Sequence, residues 1–240
     1  MRVIRAKGRD MTDMPSSETD HPAIEAVMRE QALAVGYAPA SARDGFAALL
    51  DLDHQLASIL QSTTEPMIGQ MRLTWWYEAL EKLDHAPAPA HPVLRRLADS
   101  VLPGGVRGAD LAPMIEGWEV LLDDGEPLDE ERVARHAEAR GGVLFASVGR
   151  LLGQPGMESL GAGWARADLA QHVSDQATRT RIRAAALSDL DAVLAFKLPR
   201  PARGLSGLAV LAREGLRHPD RLPGHPMRAA RLAWHGLTGR

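Results

Sequence analysis

The 240-residue chain contains no cysteine. That excludes disulfides, thiolate zinc sites, cysteine-ligated iron–sulfur clusters and a cysteine nucleophile, and it suits a reducing, cytoplasmic setting. Aromatic residues are scarce at 4%. The core must therefore be built from Ala, Leu, Val and Met, a composition that favours helices packed closely on helices. A surplus of positive charge is also lacking, since 28 Lys and Arg face 31 Asp and Glu for a net charge of −3. A broadly basic nucleic-acid binder would show a clustered basic face, so nucleic acid is not an expected partner. No apolar run reaches the roughly 18 residues that a transmembrane helix needs. The start carries Arg2, Arg5, Lys7 and Arg9 with no apolar stretch behind them, which argues against a secretory signal. Met11 and Met14 are alternative starts to Met1.

Familiar catalytic signatures are missing too. There is no Walker loop, no Rossmann glycine fingerprint, no H-E-x-x-H and no G-x-S-x-G. The nine histidines are scattered rather than grouped as metal ligands. No segment alternates with period two, and no repeat of solenoid length occurs.

What is present is helical periodicity. Residues 1–21 are polar and expected to be disordered, and 22–240 to form one helical domain. Helices are expected over 22–35, 41–61 and 67–83, with Gly36 as a stop, Ser41 as a cap and Glu65-Pro66 as a break. Pro92 suits the first turn of the next helix, which Pro103-Gly104-Gly105 ends. Asp110 is expected to cap a segment through Leu122, and Asp123–Pro127 to form a loop. Asp129 is a good cap for a helix running toward Gly153, with Leu128 stapled to Val133. That helix contains Gly141-Gly142, a costly pair that calls for a kink, a close crossing or a nearby ligand. Further helices are expected over 158–175, 182–196, 204–217 and 226–238. The fold class is all-α, with eight or nine helices and short connections.

Several residues are candidates for chemistry. Asp51 and Asp53 are two apart, so on a helix they diverge, and solvated surface is the simpler reading. Asp168, His172 and Asp175 share a helical face and could hold a hydrated divalent cation, or form a hydrogen-bonded polar stripe. Trp75 and Trp76 point about 100° apart, so one belongs to the core and the other to a groove or contact surface. Arg213, Arg217, Arg221, Arg228, Arg231 and Arg240 give the C-terminal stretch a basic face, solvated by default and otherwise suited to anionic lipid.

The stretch Glu65–Leu80 reads E-P-M-I-G-Q-M-R-L-T-W-W-Y-E-A-L. It resembles the squalene/phytoene synthase family, in the branch with the pattern E-P-M-I-G-x-x-R-L-x-W-W-x-x-A-L. The likeness extends upstream through Phe46–Leu60 and downstream to His91-Pro92-Val93, covering about residues 41–102. A weaker match continues through Gly141-Gly142, Arg179-Thr180-Arg181-Ile182 and Leu198-Pro199. The resemblance implies an isoprenoid-synthase helical bundle around a central cavity. Active members join two prenyl diphosphates head to head, using the acidic motifs D-x-x-x-D and D-x-x-E-D on facing helices. Acids four apart share a helical face and can bridge Mg²⁺ to the leaving diphosphate.

This chain departs from those motifs. By the resemblance, the two acids of the first fall at Leu56 and Leu60, neither of which can ligate a metal. In the second, Gln171 stands where Asn is usual and Asp175 keeps the first acid, while the later acids fall at Thr178 and Arg179. The resemblance therefore implies a catalytically degenerate protein. The same branch includes a mitochondrial complex I assembly factor that also lacks the acids. That points to assembly or scaffolding with a protein partner at the inner membrane, or to binding of a prenyl diphosphate or lipid through Arg72, Trp75, Trp76, Gln171, Gly141 and Gly142. The alternatives are an active Mg²⁺-dependent prenyl transferase, with Asp51, Asp53, Asp168 and Asp175 as substitute acids, and a soluble lipid carrier with a closed apolar cavity. The enzyme needs carboxylates of both helices to converge on one point.

Overall fold

In a computed structural model the described residues are 20–63, 65–122 and 128–240. Residues 1–19 of the polar start and the expected loop Asp123–Pro127 lie outside them. The described residues are mainly helical and form no strand. In chain order the helices are α1 (Asp20–Gly36), α2 (Ala40–Ser62), α3 (Pro66–Lys82), α4 (Pro92–Ser100), α5 (Gly108–Leu111) and α6 (Pro113–Glu119). Then come α7 (Glu130–His136), a π-helical segment (Ala137–Gly142), α8 (Val143–Leu151), α9 (Glu158–His172), α10 (Gln176–Leu194), α11 (Arg203–Arg217) and α12 (Pro226–Thr238). Short 3₁₀ turns occupy Leu102–Gly104 and Arg200–Ala202.

The boundaries follow local chemistry. Proline opens α3, α4, α6 and α12, where its missing N–H leaves no helical bond unmade. Asp129 accepts a bond from the Arg132 N–H, and Asp175 accepts one from the Thr178 N–H, at the starts of α7 and α10. The Asp175 cap explains why α10 begins at Gln176 rather than at 182. Two expected caps are corrected. Pro39, in extended backbone, precedes α2, and no side chain caps that end. Asp110 lies inside α5, where its carboxylate accepts the Arg107 N–H at 3.1 Å. The expected helix 110–122 is broken because Pro113 cannot donate to the preceding turn, so α6 starts there.

The core runs from α1 to α12. Phe46, Leu49, Leu52, Leu56 and Ile59 of α2 are wholly buried, and α2 packs against α1, α3, α4, α6 and α8. A satellite cluster joins Val133 of α7 to Leu169, Ala170, Val173 and Ile182, with Leu128 against it. At the C-terminal end Arg228 turns inward and forks onto Glu30 of α1 at 2.8 and 2.6 Å, which removes it from the expected basic face. Among the described residues no helix is long and apolar enough to cross a membrane.

Candidate functional site

Three elements aim charged side chains at one buried point. On α2, Asp53 shares its stripe with Phe46, Leu49 and Leu56, so its carboxylate faces the core, which corrects the expectation of a solvated position. On α7 and its continuation, Val133, His136, Ala137, Arg140, Leu144 and Val148 form the buried stripe. On α9, Trp164 and Asp168 are one turn apart on a common face. The π-helical turn at Ala137–Gly142 contains the glycine pair. Gly141 lets the chain cross α9 backbone to backbone, since a Cβ there would lie 2.0 Å from the Gly161 carbonyl oxygen. This crossing holds Arg140 against α9.

Arg140 is the hub. Its Nε and Nη2 donate to the two oxygens of Asp53 at 2.8 and 2.9 Å. Its Nη1 donates to Asp168 Oδ2 at 2.6 Å. The guanidinium lies over the indole of Trp118, 4.2 Å from the ring centroid, and over that of Trp164 at 4.8 Å. His136 completes the cluster. Its Nδ1 is 2.6 Å from the Gly117 carbonyl oxygen and its Nε2 is 3.5 Å from Arg140 Nη1. The neutral tautomer with the proton on Nδ1 satisfies both contacts: Nδ1–H donates to Gly117, and the Nε2 lone pair faces the cation. Asp53, Arg140 and His136 are buried, while Asp168 is partly exposed and has His172 Nε2 3.5 Å from its second oxygen.

The electrostatics follow from this arrangement. Burial would push the Asp168 carboxyl up, but the Arg140 charge and His172 hold it well below the usual carboxylate range. Burial likewise opposes the Arg140 charge, and Asp53 and Asp168 raise its pKa above the usual arginine value. His136 is pushed down to about 4 by burial and then by the adjacent Arg140 charge.

The other candidates lie elsewhere. Asp51 points away from the core and pairs with Arg96 of α4 near the surface. Asp175 is an exposed helix cap, its carboxyl held down first by the bond from the Thr178 backbone. The Gln171 amide donates to the Ala167 carbonyl at 3.4 Å. Arg72 straps α3 to the end of α2 through Ser62 Oγ at 2.9 Å and Thr63 Oγ1 at 3.0 Å. Trp76 is core and stacks edge-on to His91 at 4.8 Å, while Trp75 is half exposed. Gly142 has room for a side chain. The structure thus brings together Asp53 and Asp168, with Gly141 beside them, and leaves Asp51 and Asp175 apart. Sequence reasoning missed Arg140, His136, Trp118 and Trp164 as their partners.

Residues 24–183, about two thirds of the chain, match the family model described as squalene/phytoene synthase. The chain belongs to the squalene/phytoene synthase family. No curated protein and no solved structure matches it significantly. The matched span contains every member of the Arg140 cluster and stops before α11 and α12.

The Mg²⁺ chemistry of this family can be tested against the donors present. Both oxygens of Asp53 are engaged by one guanidinium inside the core, and Asp168 gives its Oδ2 to the same cation. Leu56, one turn along α2, is wholly buried hydrocarbon, and Leu60 packs against the core. Among the described residues no group of three or more His, Asp or Glu could hold a metal ion. The residues present do not fit a Mg²⁺ cluster.

Proposed function

We propose that this chain is a non-catalytic member of the squalene/phytoene synthase family that acts as an assembly or scaffolding factor. The observation that carries this reading is Arg140: a cation fixed to the chain sits between carboxylates of two helices and bonds to both. Ionising an allylic diphosphate needs carboxylates free to share metal ions with the leaving group. Here Asp53 and Asp168 neutralise an internal guanidinium, and the space between α2, α6 and α9 is filled by Arg140, Trp118, Trp164 and His136.

A partner role also draws support from α3. Met67, Met71 and Trp75 follow one another at one-turn spacing and all three are exposed, with Ile68 beside them. A run of large apolar side chains on one exposed helix face suits a protein partner. The stripe lies within the E-P-M-I-G segment, whose resemblance to the assembly-factor branch points the same way; a peripheral position at an inner membrane belongs to that reading.

Product analysis tests it. Purified protein is incubated with farnesyl and geranylgeranyl diphosphates, Mg²⁺ and NADPH, beside an active family member. The expected result is no condensed product while the control turns over. Product above the blank, abolished by Asp53→Asn or Asp175→Ala, would overturn the reading in favour of a prenyl transferase.

A further inference from the structure

The groove between α11 and α12 has a volume of about 410 Å³ and lies beyond the span matched to the family. On its α11 side Arg213, Glu214 and Arg217 follow at helical spacing, and Arg221 joins them from the turn after the helix. On its α12 side Met227, Arg231 and Trp234 do the same. The two helices present different chemistry, mainly guanidinium from one and mainly hydrocarbon from the other.

The charges do not cancel. Asp191 of α10 accepts from Arg213 at 3.2 Å and from Arg217 at 2.7 Å, and Glu214 pairs with Arg221. Four guanidiniums thus face two carboxylates, and no carboxylate among the described residues pairs with Arg231. His218, 3.9 Å from Glu214, adds no compensating negative charge. Surrounding groups register the positive field. Burial, then Arg217 and Arg231, push the Arg213 guanidinium below its usual value despite Asp191, and Arg231, Arg203 and Arg213 help push down His235 behind burial.

The rim is apolar and open. Trp234 is 57% exposed and Met227 51%, and Leu237, three residues beyond Trp234 on α12, and Leu222, in the turn before α12, are more open still. A free phosphate or sugar phosphate would use the arginines and leave these side chains in water. An anionic phospholipid uses both: its phosphate takes the forked guanidinium donors, tryptophan sits at headgroup level, and leucine and methionine reach the acyl boundary.

We propose that the α11–α12 groove is a membrane-surface site for the phosphate headgroup of an anionic phospholipid. It shares no residue with the Arg140 cluster. Prenyl product in the assay above would leave the groove proposal standing, and loss of membrane binding would leave the non-catalytic reading standing.

The test is co-sedimentation of the full chain with vesicles of phosphatidylcholine alone and of equimolar phosphatidylcholine and phosphatidylglycerol. The chain is expected to sediment with the mixed vesicles, to be released by salt, and to stay in solution with phosphatidylcholine alone. The double variant Arg217→Gln, Arg231→Gln should bind the mixed vesicles roughly 25-fold more weakly, at about fivefold per charge removed. Leu237→Asp, three residues beyond Trp234 on α12 and 74% exposed, should also lose binding while its helical circular dichroism is unchanged. Titration with inorganic phosphate separates the sources. Equal sedimentation with both vesicles, undiminished binding by either folded variant, or saturable uptake of phosphate without vesicle binding would each overturn the proposal.

Discussion

Arg140 has its guanidinium almost wholly inside the protein, and the energetic consequence is asymmetric. Replacing it by Met leaves the Asp53 carboxylate buried at 1% exposure without its cation. Breaking a buried pair from one side costs about 3–5 kcal/mol, because the remaining charge is neither solvated nor matched. Urea unfolding of Arg140→Met is expected to show that loss, and adding Asp53→Asn should restore a large part of it by removing the orphaned charge. A midpoint equal to the parent's would mean that the pair does not hold the centre together. The sequence pattern holds a clue to this arrangement, although the simpler reading of Asp53 was solvated surface and Arg140 was not singled out. Asp53 falls on the apolar stripe of its helix, and Arg140 falls between Ala137 and Leu144 on another. Each looks like a charge in the wrong place, and each is explained by the other across 87 residues of chain. Periodicity flags such a residue, but it carries no information about which distant partner completes it.

At the scale of elements, prolines and capping aspartates set the starts of α3, α4, α6, α7, α10 and α12, and the sequence shows them directly at Pro66, Pro92 and Asp129. The miss at Pro113 came from letting apolar spacing run through a residue that interrupts the hydrogen-bond ladder. The glycine pair was legible as a costly feature, but its two members turn out to differ. Gly141 meets the Gly161 backbone, whereas a Cβ on Gly142 would come no nearer than 3.7 Å to Glu158. Gly141→Ala must push α9 away from the π-helical turn and is expected to destabilise by at least the roughly 1–3 kcal/mol of ordinary overpacking. Gly142→Ala, in a helical backbone conformation with φ −59°, should be neutral or stabilise by about 0.5–1 kcal/mol through the unfolded state. Thermal unfolding of the two single variants checks the contrast. Equal effects would mean that the crossing is looser than the structure places it.

For the molecule as a whole, the cluster makes stability depend on pH. His136 titrates near 6.5 in an unfolded chain and near 4 in the folded one. Between those values the unfolded state takes up a proton that the folded state refuses. Its contribution is therefore complete above about pH 6.5 and is lost as the pH falls toward 4, by on the order of 3 kcal/mol. Below pH 3.8 a second loss begins. The folded carboxyl of Asp110 is held at about 2, chiefly by Arg107, and that of Asp168 is also depressed, so both favour folding only while ionised. Thermal midpoints are expected to fall steadily from neutral pH to pH 4, and His136→Gln should flatten that slope. An unchanged slope in the variant would place the acid sensitivity elsewhere. The central guanidinium has a further consequence for the protein in a living cell. A divalent ion held by carboxylates is loaded and unloaded by mass action, so its site follows the supply of that ion. A cation attached to the backbone at residue 140 has no dissociation constant and no competitor. The charge balance at this bundle's centre is encoded in the chain, indifferent to chelators and the same in whatever compartment the chain enters.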